Sequence, residues 1–156
     1  QPYYKEVILF RWSGGILRFR DLETSARKLR KLLYSKRSEK IDIVAFSLGG
    51  FVLERALESI QDVKAQKIVF VGAVHRPSLK FDVVEIMENV YSDIDRLALL
   101  ANNLYNFAIG KEARIKHKKV RNIQLKNLNH DDLSKNILLD SSGTRLYDLY
   151  RKLLLS

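Results

Sequence analysis

Residues 41–46, IDIVAF, form a run of apolar and mostly β-branched residues that stops at Ser47 and breaks into Leu-Gly-Gly. Such a run predicts a buried strand, and residues 48–60, LGGFVLERALESI, continue with the 3.6-residue spacing of a helix. The same alternation recurs on either side. Residues 6–10, EVILF, predict a buried strand closed by the turn residues SGG at 13–15. From Asp21 onward, Leu22, Ala26, Leu29, Leu32 and Leu33 recur at the helical period, with Asp21 placed as an N-cap and Glu23 in the first turn. Further strands are expected at 67–74, 83–91 and 120–128, with helices at 95–108 and 144–155.

Strands that alternate with helical segments must pair in parallel, because each crossover carries a helix back across the sheet. The expected architecture is therefore α/β: a three-layer sandwich of about five mostly parallel strands in a single domain spanning 1–156. Ligands of such sheets collect at the carboxyl ends of the strands. Those ends are 12–15, 47–50, 75–77, 92–95 and 129–132.

Ser47 stands where a strand must turn sharply into a helix. That turn holds its central residue in a strained backbone conformation with the side chain above the sheet, and Gly49 and Gly50 leave room for the helix to approach. The amide after the Ser opens a helix and can face an oxygen that gains negative charge. The sequence Ala45-Phe46-Ser47-Leu48-Gly49 resembles the G-x-S-x-G nucleophile elbow of the α/β-hydrolase superfamily, with Ala in place of the first Gly. The chain order strengthens the resemblance, because SDIDRL after the strand at 83–91 looks like the family's acid turn and NHDDL after the last strand holds a His where the family has its base. The resemblance covers residues 5–155, and it implies a reduced α/β-hydrolase fold.

It also implies a chemistry: hydrolysis of a carboxylic ester, thioester or amide through an acyl-enzyme, in the manner of a carboxylesterase or lipase. Ser47 would be the nucleophile, His130 the general base and Asp95 the acid that orients it, with Asp93 the fallback and His75 a pocket-lining imidazole. The Leu48 amide would be one oxyanion donor. The Ser13 and Gly14 amides of WSGG are the candidates for the second, since no His-Gly sequence is present. The connection 74–81 is too short for a lid, so the site is expected to be open, with Trp12, Phe46, Leu48, Leu79 and Phe81 as candidate walls of a small acyl pocket.

Composition narrows the partners. With 0 Cys and 3 His, neither a disulfide framework nor a zinc site is expected, and no cofactor is needed. No apolar stretch reaches the roughly 20 residues that cross a bilayer, and QPYYKEVILF lacks a signal-peptide layout, so a soluble cytoplasmic protein is expected. The net charge of +10 concentrates at 27–40 and 111–121, which suits solvated helix faces and, beyond that, an anionic surface such as lipid. Nucleic acid is not the expected partner, because only Tyr34 interrupts these runs with an aromatic ring. The expected substrate is a small-molecule ester or lipid. A homodimer is also expected, since one closing helix is too short to cover a whole sheet face. Two alternatives remain: a hydrolase-fold domain that binds without catalysing, and a basic α/β domain for nucleic acid.

Overall fold

The computed structural model describes residues 6–12, 18–74, 84–92, 95, 115, 118–125 and 129–130. Helix α1 (Phe19–Ser35) is followed by strand β1 (Ile41–Phe46), helix α2 (Gly49–Leu57), and strands β2 (Ala65–Val71), β3 (Val84–Ser92) and β4 (Val120–Leu125). The strands form one sheet in the order β1-β2-β3-β4, and every pairing is parallel. The chain is thus of the α/β class, with strands added to the sheet in chain order. The helices expected at 95–108 and 144–155 and the turn at 13–15 lie outside the described residues.

Periodicity explains the helices. In α1, Leu22, Ala26, Leu29 and Leu33 recur on one face and are buried. Its N-cap is Arg18, without a side-chain cap, so Asp21 is not the cap expected from the sequence. Asp21 sits instead in the first turn and pairs with Arg18 at 3.8 Å, where a carboxylate favours the positive end of the helix dipole. Helix α2 is buried almost all round, from Gly50 to Glu54 and again at Ala56 and Leu57, because α1 packs on one side of it and the sheet on another. Arg30 of α1 donates to the carbonyls of Arg55 (3.1 Å) and Ala56 (3.4 Å), satisfying two acceptors at the end of α2 that the helix itself cannot.

The sheet shows different chemistry on its two faces. Ile43, Ala45, Ile68, Phe70 and Met87 face the helices and form the core with Phe51, Val52 and Leu53. On the opposite face Val69, Val71 and Val90 are buried too, but charges cross the strands beside them: Asp42, Lys67, Glu88 and Arg121, alternating in sign. The Lys67 ammonium lies 3.4 Å from Glu88 Oε1, and the Arg121 guanidinium lies 3.5 Å from the same oxygen. Lys67 and Glu88 are both buried, and Glu88 Oε2 has no hydrogen-bond partner among the described residues. Such a pair contributes little net stability but is costly to break. Lys67→Met is expected to destabilise the chain by about 3–5 kcal/mol in urea unfolding, and Lys67→Met with Glu88→Leu to recover most of that loss.

The segment 6–10 departs from its expected strand. Val7 (86%), Ile8 (46%) and Leu9 (71%) are exposed, and no backbone hydrogen bond joins 6–12 to β1 among the described residues. Four strands are therefore described, not five. The segment's side chains still alternate as in an extended segment, since successive side chains point to opposite sides. Phe10 and Trp12 pack against the core, while Val7 and Leu9 point out. The two ends of the segment are nevertheless held at the two ends of β1. Glu6 bonds Lys36 Nζ at 2.6 Å before β1 begins, and the Trp12 indole reaches Gly49 after β1 has ended. The Glu6 carboxylate, and then Glu39, hold the Lys36 ammonium above its ordinary value, so this tether is present through neutral pH and is lost in strongly alkaline solution.

The bounds of one expected strand also moved. The strand expected at 67–74 runs over Ala65–Val71, and Gly72, at a positive φ of 47°, ends it with a last bond from its amide to the Val90 carbonyl at 2.9 Å. The strand expected at 120–128 is described over Val120–Leu125, and 126–128 lie outside the described residues. No helix among the described residues is long and apolar enough to cross a membrane.

Candidate active site

Ser47 follows β1 directly and has a φ of 53°, in the left-handed region that costs an L-residue about 1–2 kcal/mol. Its neighbours hold it there. The Ser47 amide donates to the Val71 carbonyl at 3.3 Å, and its own carbonyl accepts from the amides of Gly50 and Val74, each at 3.0 Å. A side chain at position 50 is excluded, because a Cβ there would lie 2.7 Å from the Val74 carbonyl oxygen and 2.8 Å from Ala73 Cβ. The close approach of α2 to the end of β2 therefore requires Gly50, while the hydrogen bonds around Ser47 fix the turn.

The hydroxyl so presented meets two other side chains. His130 Nε2 lies 3.0 Å from Ser47 Oγ, and His130 Nδ1 lies 2.9 Å and 3.1 Å from the two carboxylate oxygens of Asp95. Asp95 follows β3 and is 2% exposed, and its amide donates to the Ser92 carbonyl at 3.3 Å. His130 follows β4. An ionised carboxylate only accepts hydrogen bonds, so the Nδ1 facing it carries the ring proton and Nε2 is left as the acceptor for the Ser47 hydroxyl. Serine, imidazole and carboxylate thus come from the carboxyl ends of β1, β4 and β3, where a parallel sheet gathers its functional groups.

Comparison with known proteins adds nothing to this geometry. The chain matches no protein-family model, and no curated protein or solved structure matches it.

The other residues singled out in the sequence fall into two groups. Leu48 is the N-cap residue of α2, with a buried side chain, and no backbone carbonyl among the described residues accepts from its amide. Trp12 is partly buried against the core, with its Nε1 3.4 Å from where a Cβ on Gly49 would stand. Phe46, expected as a pocket wall, stacks on the His130 ring with centroids 4.9 Å apart and planes at 28°. Such a stack restricts the imidazole and contributes about 0.5–1.5 kcal/mol beyond simple burial. No local sequence signal foretells that contact, because the two residues lie on different strand ends. Ser13, Gly14, His75, Leu79, Phe81 and Asp93 lie outside the described residues.

Proposed function

We propose that this chain is a serine hydrolase with a reduced α/β-hydrolase fold, cleaving a carboxylic ester, thioester or amide through an acyl-enzyme. The observation that carries the reading is the unbroken contact from Ser47 Oγ through His130 to Asp95, with Ser47 held at positive φ. In this mechanism His130 Nε2 takes the hydroxyl proton as Oγ bonds to the substrate carbonyl carbon, and the carbonyl π electrons move onto oxygen. Collapse of the tetrahedral adduct reforms the carbonyl and expels the leaving alcohol, thiol or amine, which receives the proton from His130. Water then repeats the sequence on the acyl-Ser47 ester and releases the acid. Asp95 holds the ring in the required tautomer and stabilises its transient positive charge.

Arg20, Arg27, Lys28 and Lys31 are exposed on α1, and with the net charge of +10 they support action on substrates at an anionic interface.

Treatment with an alkyl fluorophosphonate, followed by peptide mass spectrometry, tests the reading. A covalent adduct is expected on Ser47. A chain that stays unmodified under conditions that label a known serine esterase is a binding domain or a nucleic-acid domain instead.

A further inference from the structure

Stabilising the tetrahedral adduct takes two donors aimed at the developing oxyanion. The Leu48 amide at the head of α2 is one. The indole of Trp12 stands at the same helix end. Its Nε1 is 3.4 Å from the Cβ position of Gly49, the residue directly after Leu48. The ring is partly buried against the core, its N–H makes no hydrogen bond to another described residue, and its nitrogen is not one of the buried atoms left without a partner. A partly buried indole N–H ordinarily finds an acceptor. Among the described residues it finds none, so the N–H at this helix end is available to an oxygen that becomes negative beside Ser47.

We propose that the Trp12 indole N–H is the second oxyanion donor, opposite the Leu48 amide. The proposal rests on the serine hydrolase reading and deepens it, because it names a side chain, not a loop amide, as the group that completes the hole. The step balances simply. As the Ser47 Oγ–carbon bond forms and the proton passes to His130, the carbonyl oxygen takes the electron pair and accepts hydrogen bonds from Leu48 N and Trp12 Nε1. Both are released when the carbonyl reforms. An indole donates only and does not ionise in the working range, so it acts without any change of protonation state. The placement also gives the tethering of 6–12 alongside β1 a role, since it delivers the indole to the end of the strand that carries the nucleophile.

The test removes the N–H and keeps the ring. Trp12→Phe and Trp12→3-benzothienylalanine, the latter replacing N–H with sulfur at nearly the same volume, are compared with the unaltered chain on p-nitrophenyl butyrate and on the fluorophosphonate. Both variants are expected to lose about 100-fold in kcat and in phosphonylation rate, with KM little changed and the adduct still on Ser47. Trp12 is the sole Trp, so the fluorescence of the unaltered chain should also shift on phosphonylation as the indole N–H engages the phosphoryl oxygen. Should Trp12→Phe fail to fold, the benzothienyl variant decides. Unchanged rates in the benzothienyl variant, or a raised KM at full kcat, would overturn the indole's role while Ser47 labelling upholds the parent reading. Absence of labelling in the unaltered chain removes the parent reading itself.

Discussion

Ser47→Gly and Ser47→Ala are both expected to abolish phosphonate labelling, with activity down about a million-fold, but the glycine variant should be the more stable of the two. Loss of the nucleophile accounts for the activity. The stability order is the more discriminating outcome, because Gly in place of Ala ordinarily destabilises a chain by about 0.5–1 kcal/mol. At Ser47 the φ of 53° reverses that order. Ala keeps the left-handed strain of about 1–2 kcal/mol, whereas Gly relieves it and loses only backbone entropy. The net difference should be about 1 kcal/mol in favour of Gly, read from urea midpoints at equal slope. An Ala variant as stable as the Gly variant, or more so, would show that position 47 is not strained. The local surroundings sharpen this expectation, because both variants retain the backbone bonds to Val71, Gly50 and Val74 that hold the turn.

The second large effect concerns the acid. Asp95→Asn is expected to lower kcat about 10⁴-fold with little change in KM, since an amide that donates toward Nδ1 selects the tautomer whose Nε2 carries the proton and cannot accept one from Ser47. Asp95 holds His130 Nδ1 at 2.9 Å and is itself 2% exposed, so the contact is a direct and buried one. Circular dichroism and unfolding of the variant should remain close to those of the unaltered chain, because the replacement is nearly isosteric. Asp93→Asn should cost far less. If the order of the two losses were reversed, the acid assignment would pass to Asp93. The serine itself would remain.

Local pattern determined a good deal about this protein. The branched apolar run at 41–46 and the Ser-Leu-Gly-Gly after it placed β1 and the turn, because β-branched side chains favour the pleated conformation and small residues are needed where a helix starts against a sheet. Helix α1 was equally legible, since one face of Leu and Ala at helical spacing can be buried in only one way. Strand–helix alternation implied parallel pairing, and chain order pointed to Ser47, Asp95 and His130 as residues worth inspecting. Tertiary structure alone decided the rest. Whether His130 reaches Ser47 depends on where β4 falls in the sheet, and no local rule relates positions 83 residues apart. The opposing charges of Lys67 and Glu88 look, strand by strand, like solvated positions; only the register of β2 against β3 makes them a buried pair. The run at 6–10 has the composition of a strand, yet a strand is a relation between two segments, and its side chains satisfy themselves against the core at Phe10 and Trp12 without completing a ladder. Spacing along a chain reports which conformations the backbone prefers, whereas a site is made of distances between elements, and those are set by how the elements pack.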